Sequence, residues 1–231
     1  MDIPYYTIPF TLSAESIAKI KTITDPIVDE FQRTAPLDAG LLHDALGREA
    51  TAEWFASDHW AEIKRHFEPL GLAPDESCVQ LFVYKTRDVK PDARGNPHVD
   101  TYDGVDKIVP IRFNILLSGD EDQEMVWWDT AIPWQRDPRL HIDEFPQPKN
   151  PAKTFKRAQV HGKTVPDRWK LMGEPIFKYS QLTRYNEFAS FVRTDKLHAI
   201  NWNGAKPRLI LSIRFFEPWS AVTAIQNQNL K

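Results

Sequence analysis

The 231-residue chain predicts an α+β fold, a helical first third supporting a jelly-roll or barrel of short strands. Three observations point to it. Apolar residues recur at helical spacing as far as about residue 67, the apolar period changes to two from Cys78 onward, and the later apolar runs are short and numerous. The length suits one well-buried domain. The expected layout is a single domain over 1–231, with mainly helical support over 1–76, the strand core over 77–217 and a tail over 218–231.

In the first third, Ser13 or Thr11 can cap a helix in which Ile17, Ile20, Ile23 and Ile27/Val28 recur, and Pro26 is expected to kink or end it. A shorter helix is expected from Asp38 to Leu46, with Gly47 as its stop. A third spans about Ala50 to Phe67 and buries Trp54, Phe55, Trp60, Ile63 and Phe67. Gly71 and Pro74 close the helical part.

The strands follow. Val79, Leu81 and Val83 alternate with Gln80, Phe82 and Tyr84. Val109 to Leu117 reads as a second strand, then an acidic turn leads to a third around Met125 to Asp129. Weaker candidates are 175–179 and 188–192, and the last is Arg208 to Phe216. Residues 131–172 fit neither period. They hold Pro133, Pro138, Pro146, Pro148, Pro151 and Pro166, and from Lys149 to Lys170 seven basic residues face one acid, Asp167. They read as a basic, Pro-rich insertion without regular structure, either a lid or a solvated loop.

Charged residues make up 26% of the chain and the net charge is −3, which argues against nucleic acid as a partner. Cys78 is the only cysteine, so no intrachain disulfide or cysteine zinc finger can form. The start MDIPYYTIPF lacks the pattern of a secretory signal, and no apolar run approaches membrane-spanning length. A cytoplasmic location is expected.

The chemistry centres on His98-Val99-Asp100, answered by His198 and then by Arg208. On a strand, residues i and i+2 point to one side, so His98 and Asp100 can reach one metal ion together, with His198 supplied by another strand. Two imidazoles and a carboxylate on one face of an octahedron leave three positions open, the ligand set of non-heme Fe(II) oxygenases. Such a tripeptide alone arises easily by chance in a loop. Its combination with a distal histidine and an arginine ten positions later does not. On the last strand Leu209, Leu211, Ile213 and Phe215 would pack inward, leaving Arg208, Ser212 and Arg214 on the opposite side. A guanidinium beside a hydroxyl can grip a carboxylate, whereas a lone strand-end arginine is by default a surface ion pair.

His98-x-Asp100, His198 and Arg208-x-x-x-Ser212 resemble the 2-oxoglutarate- and Fe(II)-dependent oxygenases over about residues 78–216. The resemblance implies a double-stranded β-helix (jelly-roll, cupin-like) core with N-terminal supporting helices. It implies Fe(II) on His98, Asp100 and His198, and 2-oxoglutarate and O2 as co-substrates, with succinate and CO2 released. It assigns Arg208 and Ser212 to the distal carboxylate of 2-oxoglutarate, with Tyr84 as a further contact despite the intervening Thr86–Pro97, and Asn114 either as another contact or as a satisfied core amide. An acid at position 100, where halogenating members carry a small residue, favours hydroxylation.

For the prime substrate, one of Trp127 and Trp128 can line the pocket, Trp128 being the candidate carried forward, though core packing is the ordinary role for both. Tyr102 can reach the mouth of the metal chamber or face solvent. Arg214 can hold an acidic substrate group, contact the co-substrate or pair with a structural acid. A small molecule, an amino acid or a peptide side chain is the expected substrate class. A cupin-like metal-binding protein without turnover is the alternative, and an interaction protein with an accidental H-x-D is a third.

Overall fold

The computed structural model describes residues 2–34, 42–45, 53–76, 79–84, 95–102, 107–119, 123–129, 134–147, 150–180, 186–202 and 208–229. Its strands nest like one long folded hairpin. Innermost, β8 (Gln123–Trp127) pairs with β11 (Phe177–Ser180). Outside that, β7 (Ile111–Ser118) pairs with β12 (Phe188–Arg193), then β4 (His98–Val99) with β13 (His198–Trp202), and finally β3 (Val79–Tyr84) with β14 (Arg208–Phe215), every pair antiparallel. The nested pairs are dealt alternately to two facing sheets, which makes a jelly roll. Flanking strands β1 (Tyr5–Pro9), β2 (Leu42–Ala45), β9 (Leu140–Gln147) and β10 (Asn150–Val160) extend them to the orders β1-β12-β7-β14-β3-β2 and β11-β8-β13-β4-β10-β9. A small ribbon of β5 (Thr101–Tyr102) and β6 (Lys107–Ile108) follows the H-x-D.

Side-chain alternation gives each sheet two unlike faces. On the first sheet Leu81, Ile111, Phe113, Ile115, Phe191, Leu211, Ile213 and Phe215 face the helical layer and form the main core. That layer comprises α1 (Ala14–Thr34), α2 (Asp58–Lys64) and α4 (Trp219–Asn229), contributing Ile20, Trp60, Ile63, Trp219, Val222 and Ile225. On the second sheet Val99, Val126, Trp128, Ala158 and Ala199 face outward under α3 (Val165–Met172), packed against its Trp169 and Met172. The inner faces of the two sheets enclose the polar interior described below. No helix among the described residues is long and apolar enough to cross a membrane.

Ser13 caps α1 by accepting from the Ser16 amide at 3.2 Å, and Glu62 on α2 takes the Ser13 amide at 2.7 Å and its hydroxyl at 2.9 Å. One carboxylate thus serves the α1 N-terminus and ties the two helices together. The helix runs straight through Pro26, because that position faces solvent and its missing donor leaves no buried carbonyl orphaned.

Four expectations need correction. The helix expected over Asp38–Leu46 is absent where the chain is described: Leu42–Ala45 is a strand paired with β3, and the remainder lies outside the described residues. The third helix is broken at Ala56–Ser57 into a helical turn at 53–55 and a helix at Asp58–Lys64 capped by Ser57, followed by a 3-10 turn at Glu68–Leu70 that Gly71 ends in the left-handed region at φ 67°. The stretch 131–172 is largely regular, a long β9–β10 hairpin and α3. Three of its prolines sit where no donor is needed: Pro146 and Pro151 near the hairpin's irregular tip, and Pro166 in the first turn of α3. The segment after 218 is a docked helix, with Trp219, Val222 and Ile225 in the core.

Candidate metal centre

β4 lies between β13 and β10 in its sheet, and this sets the site. Val99 points outward into the apolar layer under α3, so His98 and Asp100 point inward together. The Asp100 amide donates to the Thr194 carbonyl at 3.1 Å, and its carbonyl accepts from Val109 at 3.2 Å, pinning the end of the strand. Pairing of β13 with β4 puts His198 directly opposite His98, a hundred positions away in sequence. Their ring centroids are 4.5 Å apart. One donor atom from each of His98, Asp100 and His198 lies within 4.8 Å of the other two, and among the described residues no other such group of acids, histidines or cysteines occurs.

Both imidazoles are oriented by the backbone. His98 Nδ1 meets the Asn96 carbonyl at 2.6 Å, and His198 Nδ1 meets the Lys196 carbonyl at 2.8 Å. A carbonyl can only accept, so each Nδ1 carries a proton, and in the neutral imidazole it is Nε2 that keeps the lone pair. That is the tautomer a metal ligand needs. His98 Nε2 stands 3.3 Å from Asp100 Oδ1.

Asp100 and His198 are almost completely buried, at 5% and 3% exposure. Burial alone would raise the Asp100 pKa. The Arg112 guanidinium overrides that effect and holds the carboxyl well below its usual range. A charged carboxylate is therefore ready before any cation arrives. Imidazole lone pairs and an anionic oxygen at this spacing fit a borderline divalent metal such as Fe(II).

The approach to His98 is closely packed. Gly95 donates to the Ile200 carbonyl of β13, and the Trp169 indole donates to the Gly95 carbonyl at 2.9 Å. Arg168 of α3 reaches Asn96 Oδ1 at 2.7 Å and Gln159 Oε1 at 2.9 Å. A Cβ on Gly95 would sit 2.8 Å from the Ile200 carbonyl oxygen, which is backbone and cannot swing aside. Gly95→Ala is therefore expected to push this turn off β13 and misplace His98. Metal affinity measured by titration should fall at least ~10-fold, the scale of a disturbed ligand support.

The other expected site residues are placed unequally. Ser212 and Asn114 stand side by side on the inner face of the first sheet, the Ser212 hydroxyl donating to Asn114 Oδ1 at 2.8 Å. They belong to a cross-strand row, Gln80–Ser212–Asn114–Ser190–Thr7, that runs over five strands. Arg208 stands opposite Tyr84 in the β14–β3 register; their side chains, and that of Tyr102, lie outside the described residues. Arg214 is 2% exposed and its Nε donates to Asp75 at 2.8 Å, a pairing with a structural acid. Trp128 is corrected. It packs outward against Trp169, its indole donating to the Gly173 carbonyl at 2.8 Å, on the sheet face away from the triad. Trp127 is the inward one, opposite His198 in the register.

Arg112 and Gln80 were not anticipated. Arg112 crosses from the first sheet to Asp100 on the second, and its Nη1 donates to Gln80 Oε1 at 2.6 Å. The available signal was a charged residue inside the apolar strand Ile111–Ser118, two positions before Asn114 and so on its face.

No protein-family model matches the sequence, and no curated protein matches it. Solved structures do. EvdO2 from Micromonospora carbonacea var. aurantiaca, complexed with 2-oxoglutarate, is 12% identical with a TM-score of 0.54, over 93% of this chain and 87% of that one. The non-heme alpha ketoglutarate dependent carbocyclase SnoK from nogalamycin biosynthesis is 11% identical with a TM-score of 0.52, over 93% of this chain and 79% of that one. With nested strands in two facing sheets and a His-Asp-His triad between them, the chain shares the jelly-roll fold of these two structures.

Proposed function

We propose that the protein is an Fe(II)- and 2-oxoglutarate-dependent oxygenase that hydroxylates a small molecule, an amino acid or a peptide side chain. The observation that carries this reading is the triad, with both histidines set by backbone carbonyls in the ligating tautomer beside a charged, buried carboxylate. Fe(II), 2-oxoglutarate and O2 would supply the oxidising chemistry, with succinate and CO2 as the co-substrate's products. The chain's own residues bind, orient and keep water out. His98, Asp100 and His198 would hold the metal. The inner face of the first sheet, with Ser212 and Asn114 hydrogen-bonded to each other, supplies fixed dipoles beside it. Arg208, at the end of the same strand, is assigned the distal carboxylate of 2-oxoglutarate, with Tyr84 across from it. Trp127 lies on the same inner face as the triad, buried in an apolar cluster with Met125 and Val192.

The test of the clamp is calorimetric titration of 2-oxoglutarate into metal-loaded protein without oxygen. Arg208→Ala should bind it at least ~30-fold more weakly, the scale of a lost charge-assisted pair of about 2 kcal/mol or more. Arg208→Lys should recover part of that loss, since the charge returns without the fork. Equal affinity in wild type and Arg208→Ala would remove Arg208 from the site.

A further inference from the structure

We propose that Arg112 is a positioning residue of the metal site, holding one oxygen of Asp100 so that only the other is presented to the cation; this rests on the metal-binding reading above. The two carboxylate oxygens have different partners. Asp100 Oδ2 takes the Arg112 Nε–H, whereas Oδ1 faces the His98 Nε2 lone pair at 3.3 Å. Arg112 is itself fixed on further sides: Nη1 donates to Gln80 at 2.6 Å, and the guanidinium lies 5.5 Å from the centre of the Phe82 ring. Arg112 comes from β7 and Gln80 and Phe82 from β3, so the first sheet sets the angle of a carboxylate carried by the second.

A purely structural role accounts poorly for this arrangement. A buried ion pair is rarely more stabilising than apolar residues of similar volume. Here Arg112 also stands directly across from a second buried arginine, Arg214, in the β7–β14 register. Like charges so placed repel, and each is matched to its own acid, Asp100 for Arg112 and Asp75 for Arg214. Keeping a cation beside a metal site makes sense if orienting the carboxylate is worth more than the repulsion between guanidinium and metal.

The two effects differ in sign, which makes the proposal testable with Co(II) as the probe and its visible d–d absorption as the readout. Positioning requires Arg112→Met to bind Co(II) at least ~10-fold more weakly, in line with other supports of metal ligands, with an altered spectrum. Repulsion alone requires it to bind more tightly. Gln80→Leu separates geometry from charge. It leaves every formal charge in place and frees Arg112 to tilt, so it should weaken Co(II) binding several-fold and shift the spectrum, also where Arg112→Met fails to fold. Arg112→Lys should fall between wild type and Arg112→Met. Wild-type affinity and spectrum in both Arg112→Met and Gln80→Leu, or tighter binding in Arg112→Met, would overturn the proposal and leave the metal site standing. Failure of wild type to take up Co(II), or equal uptake by His198→Ala, would overturn the metal site and the proposal with it.

Discussion

Replacing His198 with alanine is expected to abolish tight divalent-metal uptake and any turnover of 2-oxoglutarate while the protein stays folded. His198 supplies one of the three donors found among the described residues, and with it gone the remaining pair holds a metal far more weakly. Disturbing the support of a metal ligand costs ~10–100-fold in affinity, so loss of the ligand itself should exceed that range. Folding should survive for a local reason. The β13–β8 register continues through Ala199, Ile200, Asn201 and Trp202, and those backbone pairings do not depend on the imidazole. Asp100 also keeps its Arg112 partner, so no buried charge is stranded. Metal content after desalting, read beside the far-UV circular dichroism spectrum, checks both halves. A folded His198→Ala protein that retains stoichiometric metal would contradict the assignment of the ligand.

The largest stability effect is expected from Phe113→Ala. Phe113 is fully buried on the outer face of β7, with Phe67 at 4.9 Å and Phe191 at 4.7 Å between ring centres and Phe10 at 5.4 Å. It joins the helical layer to the sheet and sits between Arg112 and Asn114, two inward-pointing residues of the same strand. Truncating a buried phenylalanine costs about 3–5 kcal/mol, a large part of the ~5–15 kcal/mol that holds a domain together. Urea unfolding followed by fluorescence should show the midpoint falling accordingly. A loss below about 1 kcal/mol would mean that the helical layer is not what braces this sheet.

The triad was readable because its spacing follows from strand geometry alone. His98 and Asp100 two residues apart share a face in any extended strand, and His198 needed only a second strand. The opposite face of the main core was equally plain in the alternation of Leu209, Leu211, Ile213 and Phe215. What escaped depends on partners distant in sequence. Leu42–Ala45 is a strand because β3 offers it an edge, and the short run carries little preference of its own. The β9–β10 hairpin was hidden by prolines that count against a strand only where a ladder donor is required. Trp127 and Trp128 are indistinguishable until the register with His198 fixes which one turns inward. Arg214 had three open roles, and its partner Asp75 lies 139 positions away. Arg112 carries no motif at all; its meaning comes entirely from reaching Asp100 across the gap between the sheets.

The central claim is that this site couples a metal to 2-oxoglutarate oxidation. It is tested most directly by measuring succinate released when protein loaded anaerobically with Fe(II) and 2-oxoglutarate is exposed to O2, with His198→Ala treated identically. Slow succinate formation in the wild type that needs Fe(II) and O2 and disappears in His198→Ala is the expected result. Wild-type protein that binds both Fe(II) and 2-oxoglutarate yet releases no succinate beyond the His198→Ala level, across a panel of small-molecule, amino-acid and peptide substrates, would contradict it.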